Sequence, residues 1–555
     1  MWLINTRSLE LEFVVSPRDG SYAVLSHTWG DDEVTFQDIR NDLHLAQSKK
    51  GFAKILHACQ IAQERHLQYA WVDTCCIDKA SSAELSEAIN SMFRWYRGAA
   101  FCIVFLFDLP PALSSLSSPT SLSWSSASPQ LDFVRDFPTC RWLTRGWTLQ
   151  EMIAPPKLEF YDAGWEFRGY KSDWKLLLSR ETGVDVAILD DLAGLPQIPV
   201  ARRMSWAAGR QTTRIEDMAY CLMGIFDVHM PMIYGEGPKA FVRLQEEIAR
   251  ETSDLSLFAW TQLDSDQDYR GILARSPAEF ASCRDLKHRV RNANLTNEFT
   301  ITNKGLRIET ALVDVPEASN DLIWNLGVSH RDDWPTDNVL GWEGIYLART
   351  TDGFVRANPR ERFVVEDQDR FRCDSSVMYI RKDVDIVQSL LIGKRFEKSL
   401  AIERWNSSVQ IVGLAPKQLW DGNWRVFLHH GQGINAYLML QCPPMNGGHQ
   451  GFSLIVACST MNDPICAIWH DAHPLWSDVM NYIKKARQVS DYVAADYLTI
   501  HFLQYEDYRP SSKCVTRFTS RPHGIEIEAI VEIRPHVNHG QQGYMLHLDY
   551  RLHPP

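Results

Sequence analysis

Tyr22-Ala-Val-Leu-Ser26-His27-Thr28-Trp29-Gly30-Asp31-Asp32 is the stretch on which the fold turns. A short, almost wholly apolar run passes directly into a small acidic loop with a glycine. This is how a strand covered on both faces reads where it emerges at a sheet edge. Three further runs have the same character: Tyr69-Ala-Trp-Val-Asp73, Ala100 to Phe107, and Leu158-Glu-Phe-Tyr161. The segments between them carry helical periodicity. Phe52, Ile55, Leu56 and Cys59 share one helix face, and Leu85, Ile89, Met92, Phe93 and Tyr96 share another that Ser81 or Ser82 can cap. Both stripes read as core. Strands alternating with helices predict an α/β domain with a parallel sheet and crossover helices.

This domain is expected over residues 1–163. It is interrupted at 110–130, where nine serines and four prolines in 21 residues leave too little apolar area to offset the entropy of ordering. A helical companion region is expected over 164–260. It closes with Pro238 to Glu251, an amphipathic helix with Phe241, Leu244 and Ile248 on one face. Residues 261–555 turn to β: Phe299–Thr302, Gly305–Thr310, Leu322–Leu326, Gly344–Leu347, Trp424–Leu428 and Phe452–Val456 are β-forming runs between Gly, Asn, Asp and Pro turns. A sandwich or barrel is expected there. No fixed repeat supports a propeller.

The chain has 555 residues, 45% of them hydrophobic, enough to bury a core over several domains. Lys plus Arg number 57 against 69 Asp plus Glu, a formal charge of −12, which disfavours a nucleic-acid backbone as partner. The N-terminus has no basic head leading an apolar stretch, and the longest apolar run, Ala99 to Phe107, is far short of the roughly 20 residues of a membrane helix. Twelve scattered cysteines with no CxxC pair suit a reducing compartment. A soluble cytoplasmic protein is expected.

Ligands of open α/β sheets gather at the carboxyl ends of strands. Three segments place polar groups there: Leu25-Ser26-His27-Thr-Trp29-Gly30, Trp71-Val-Asp73-Thr-Cys75-Cys76-Ile77, and Arg145-Gly-Trp147-Thr-Leu-Gln-Glu151. Together they resemble the fungal heterokaryon-incompatibility (HET) domain, whose hallmarks are a Leu-Ser strand ending in Trp-Gly, a Trp-x-Asp-x-x-Cys-Ile segment and an Arg-x-Trp-Thr-Leu-Gln-Glu segment. All three occur in order between Tyr22 and Asp162. Residues 202–237 resemble the region that often follows such domains.

The resemblance implies an effector of programmed cell death in non-self recognition, with a fold distantly similar to Toll/interleukin-1 receptor (TIR) domains and a flavodoxin-like sheet. Some TIR domains hydrolyse NAD through one glutamate in a Trp-Cys-x-x-Glu segment. Trp147-Thr-Leu-Gln-Glu151 has that Trp-to-Glu spacing, which makes Glu151 the candidate catalytic residue. NAD is then substrate and not a resident cofactor. Ser26, His27, Trp29, Gly30, Asp73 and Trp147 are the expected NAD-binding set: a tryptophan to stack on a ring, Asp73 for ribose hydroxyls, and amides near Gly30 for a phosphate. A carboxylate near the ribose would stabilise an oxocarbenium-like transition state. The alternative is a non-enzymatic module that self-associates or docks an unidentified protein partner.

Each candidate also has a plain packing role. Glu151 reads equally as a helix-terminal carboxylate paired with Arg141 or Arg145. Trp29, Trp71 and Trp147 suit a core. Asp73 suits a turn cap, and Cys75 and Cys76 suit small buried hydrophobes, with no metal site expected. Gly235-Glu-Gly237-Pro-Lys239 has the look of a phosphate cradle but lacks a P-loop or dinucleotide fingerprint. His470-Asp-Ala-His473 lacks a third ligand, and Lys287 to Arg291 reads as a solvated face.

Overall fold

A computed structural model of the chain describes residues 1–111, 129–262, 267–288, 298–314, 322–330, 342–350, 353–365, 375–394, 399–403, 409–422, 425–428, 433–442, 452–461, 463–488, 490, 493–495, 498, 511–519, 526–538 and 541–553. The core of the serine-rich stretch, 112–128, and Trp424 lie outside the described residues.

The four sequence-read strands form the centre of the first sheet. They are β3 (Tyr22–His27), β4 (Tyr69–Val72), β5 (Phe101–Phe105) and β6 (Leu158–Tyr161), preceded by β1 (Trp2–Asn5) and β2 (Leu11–Phe13) and followed by β7 (Phe167–Tyr170). The spatial order is β2-β1-β4-β3-β5-β6-β7. The pairs β3–β4, β3–β5 and β5–β6 are parallel. The central order, second-first-third-fourth, is that of the flavodoxin-like doubly wound sheets, with the chain changing direction of travel beside β3. Every residue of β3 and β5 is buried, as strands covered by helices on both faces require. The antiparallel edges β1, β2 and β7 are an addition to the expected parallel sheet. These strands are short and partly exposed, and their period-2 signal is correspondingly weak.

Helix α1 (Phe52–Glu64) buries Phe52, Ile55, Ala58, Cys59 and Ala62, spaced three and four apart. Leu56, expected on that face, is turned outward instead. The reason is geometric: Ala58 and Ala62 continue the 3.6-residue stripe, and Leu56 lies off it. Helix α2 (Ser82–Gly98) is capped by Ser81, whose hydroxyl accepts from the Glu84 amide. Immediately after the undescribed stretch a helix runs over Pro129–Asp136, earlier than the resumption at Cys140 expected from sequence.

Helices follow over Lys171–Thr182, Val200–Ser205 and Lys239–Glu251, the last burying Phe241, Leu244 and Ile248. They do not form a separate core. One apolar cluster runs from Met1 to Ile380, taking in the first sheet, these helices and one face of a ten-stranded sheet that contains Phe299–Thr302, Gly305–Thr310, Leu322–Ser329 and Trp342–Thr350. Gly224 marks the closeness of this packing: a Cβ there would lie 2.2 Å from Phe93 Cβ on α2.

The C-terminal part holds a six-stranded and a four-stranded sheet. Leu400, Phe427, Val531 and Leu546 of the former share a core with Leu438, Leu454 and Ile468 of the latter, so the two pack face to face as a sandwich. The opposite face of the four-stranded sheet, with Tyr437, Ile455 and Trp469, carries Val479 and Ile483 of the helix Trp476–Arg487. No helix among the described residues is long and apolar enough to cross a membrane.

Candidate functional site

The carboxyl ends of β3 and β4 open into a cleft of about 540 Å³, within the roughly 300–1,000 Å³ usual for small-molecule sites. Its floor and first wall come from the three sequence motifs and the residues beside them: Thr28 and Trp29 after β3, Asp73, Ile77 and Lys79 after β4, and Arg141, Thr144, Arg145 and Trp147 ahead of helix α3 (Thr148–Ile153). Leu85, Ile89 and Met92 of α2 form an apolar side, so part of the stripe read as core faces the cleft. The opposite wall is Gln211 to Arg214, Asp217 and Tyr234. That wall is held by backbone: the Gly146 amide donates to Gln211 O at 2.8 Å, and Arg145 and Gln211 form a parallel β-bridge. Gly146 makes the approach possible, because a Cβ there would lie 2.5 Å from Thr212 Cγ2.

Asp73 organises the first wall. Trp29 Nε1–H donates to its Oδ2 at 2.9 Å, and His27 Nε2 lies 3.1 Å from its Oδ1. Lys54 Nζ, which has only protons to offer, is 3.2 Å from His27 Nδ1 and also pairs with Glu33. Nδ1 is therefore the acceptor, and Nε2–H donates to Asp73. Burial alone would raise the Asp73 pKa, but the hydrogen bond from His27 and the charges of Lys79 and Arg145 hold it well below the usual carboxylate range. The Trp29 ring is 43% exposed. Lys79 Nζ sits 3.8 Å from its centroid and the Arg145 guanidinium 4.9 Å. On the far wall Arg214 stacks on Tyr234 at 4.3 Å, and Tyr234 Oη donates to Asp217 at 3.0 Å. Four cations thus line the cleft, Lys79, Arg141, Arg145 and Arg214, against two carboxylates. None of the four forms an ion pair with a carboxylate among the described residues, whereas Arg65, Arg168 and Arg202 each do.

Of the residues expected from sequence, Trp29, Asp73 and Trp147 line the cleft. Ser26, His27, Gly30 and Glu151 are not among its lining residues. The Gly30 amide, expected to receive a phosphate, already donates to Glu33 at 2.7 Å. Glu151 is 3% exposed, and its Oε2 accepts from Ser26 Oγ at 2.5 Å, while Trp142 Nε1–H donates to the same Ser26 oxygen at 2.7 Å. No ion pair joins Glu151 to Arg141 or Arg145 among the described residues. Burial and the Asp73 charge push its pKa up to about 7, against the opposing pull of Arg145, Ser26 and Arg210. Cys75 and Cys76 are buried, and burial keeps the Cys75 thiol protonated, which leaves it no nucleophilic role. The Gly235–Gly237 turn has both glycines at positive φ, with their amides aimed at one point. That point is filled from within the chain: Glu216 Oε1 accepts from Gly235 at 2.8 Å and Gly237 at 3.1 Å.

With the cleft built from these three motifs, comparison with known proteins is direct. Residues 22–151 match the family model for the heterokaryon incompatibility protein (HET). This stretch is similar to the HET domain. A curated relative, the vegetative incompatibility protein HET-E-1 of Podospora anserina, is 44% identical over 240 residues, which is 42% of this chain and 16% of that protein. The chain therefore covers only a small part of that relative. Residues 239–298 match a domain of unknown function, DUF8212. No solved structure matches the chain. The far wall of the cleft, residues 211–234, lies beyond the HET match, so the matched stretch shares its cleft with the segment that follows it. Sequence reasoning missed Lys79, Arg141, Arg145, Arg214, Asp217 and Tyr234 as binding residues. Lys79 and Arg141 had a legible signal as cations next to motif residues. Arg214, Asp217 and Tyr234 had none, because only the folded chain sets them opposite the HET motifs.

Proposed function

We propose that this chain is a cytoplasmic incompatibility-type effector of cell death in non-self recognition, whose HET domain binds NAD in the cleft above β3 and β4 and hydrolyses it. The observation that carries the reading is the cleft itself: an exposed tryptophan, Trp29, and four cations with no ion pair among the described residues, on the carboxyl edge of a doubly wound sheet, suit a ligand with planar bases and phosphates. HET-E-1 and the HET family model support the incompatibility role. In the reaction the C1′–N bond of the nicotinamide riboside breaks, and its electron pair passes to the ring nitrogen. Water then adds to C1′ and gives up a proton to solvent. For Glu151 to stabilise the cationic sugar its carboxyl must leave Ser26 for the cleft, so turnover is coupled to opening of the Ser26–Glu151 pair.

A second reading is favoured by the burial of Glu151: the HET domain signals by self-association without chemistry. Purified full-length protein incubated with NAD separates the two. Nicotinamide release that disappears in Glu151→Gln supports hydrolysis. Concentration-dependent oligomers with no release select assembly.

A further inference from the structure

The four cleft cations are set in a chain with an excess of twelve negative charges, yet none of them forms an ion pair among the described residues, while cations elsewhere find carboxylates. Asp73 and Asp217 line the same cleft and offset two of the four charges, which leaves a surplus of two positive charges in one concavity, a field that favours an added anion. The cations are also held in place. Lys79 and Arg145 share the Trp29 ring, Arg145 reaches His27 O at 3.5 Å, and Arg214 lies on Tyr234, itself anchored on Asp217. The two groups stand on opposite walls, one from the HET motifs and one from the segment after them. The other candidate anion cradle nearby, the Gly235–Gly237 amides, is occupied by Glu216, which leaves the side-chain cations to do the recognising.

We propose that this cleft is a composite diphosphate site, in which Arg145 and Lys79 of the HET domain and Arg214 of the following segment grip the phosphates of a nucleotide from both sides. The inference deepens the reading of the cleft as a dinucleotide site and rests on it for the base and sugar. The phosphate recognition stands on the cations alone. It makes Arg214, outside the family match, a specificity-determining residue. Ligand occupancy would also clamp the HET domain to residues 211–234, because the anion neutralises both walls at once.

The test is calorimetric titration of the full chain with ADP, AMP and adenosine, at low and high salt, in wild type, Arg145→Ala and Arg214→Ala. ADP is expected to bind at least tenfold tighter than adenosine, with AMP between, and each substitution to weaken ADP about tenfold and adenosine by much less. High salt should weaken ADP and spare adenosine. Arg214 is exposed, so its removal leaves the core intact, and Arg214→Lys, which keeps the charge, should restore part of the ADP affinity. Equal binding of ADP and adenosine, or ADP affinity untouched by Arg214→Ala, overturns the proposal. ADP binding that follows the arginine pattern without any nicotinamide release from NAD supports this site and sinks hydrolysis. NAD cleavage indifferent to Arg214→Ala does the reverse.

Discussion

Ser26 Oγ and Glu151 Oε2 lie 2.5 Å apart at opposite ends of the HET match, 125 residues distant in the chain. The bond ties the tip of β3 to α3 through buried residues that do not line the cleft, and Trp142 completes it by donating to Ser26. A buried carboxyl and a buried indole thus depend on one hydroxyl.

Replacing Ser26 with alanine removes the donor to Glu151 and the acceptor of Trp142 in a fully buried setting. A loss of about 1–3 kcal/mol in unfolding free energy is expected, the usual cost of stranding a buried polar group. Urea denaturation of Ser26→Ala against wild type measures it. An unchanged midpoint would show that the bond contributes nothing.

The Glu151 carboxyl titrates at about 7 in the folded protein against an ordinary value of 4.5, so the native state binds its proton more tightly than the unfolded chain does. Between those values the native state holds more protons, and stability falls as pH rises, by up to about 3 kcal/mol for this group. Asp73 has the opposite sign: its pKa is depressed, and its contribution is lost only as pH falls below the ordinary carboxylate value. Thermal melts of wild type and Glu151→Gln from pH 5 to 8 should therefore diverge, the glutamine variant showing the flatter profile and the higher melting temperature at pH 8.

At Gly146 an added methyl would meet Thr212 Cγ2 at 2.5 Å and Cys221 Sγ at 3.2 Å. Gly146→Ala should push residues 211–214 away from the HET motifs, destabilising the protein by about 1–3 kcal/mol as overpacking does and weakening nucleotide binding in the cleft. Adding Thr212→Ser, which removes the opposing methyl, should recover much of both. Failure of the double variant to recover would place the strain elsewhere.

Glu216 is held below the usual carboxylate range by backbone amides, its own and those of Gly235 and Gly237. Glu216→Ala should leave the two glycine amides without their acceptor, and their hydrogen exchange should accelerate at least tenfold while amides in β3 and β5 stay protected. Equal protection in the variant would mean that the turn holds itself.

How much was legible can be judged from particular residues. Ala58 and Ala62 decided the α1 face where Leu56 was expected, because small residues continue a stripe that hydrophobicity alone does not mark. The edge strands β1, β2 and β7 escaped notice because short, half-exposed strands carry little period-2 signal. Trp29 and Trp147 share a residue type with Trp71, yet Trp71 is fully buried and the other two face the cleft. Nothing local distinguishes them.

The amino-acid order by itself determined the four central strands, the two crossover helices and the HET motifs, since apolar periodicity and motif spacing are properties of neighbours in the chain. Only the tertiary structure decided which motif atoms are free to meet a ligand. That outcome is a competition for partners among residues remote in sequence: Ser26 claims Glu151, Glu33 claims the Gly30 amide, and Glu216 claims Gly235 and Gly237. It also brought Arg214 and Tyr234 across to face Arg145. Hydrogen bonds and charges act through space, so the last word on each group belongs to whichever partner the fold sets within reach.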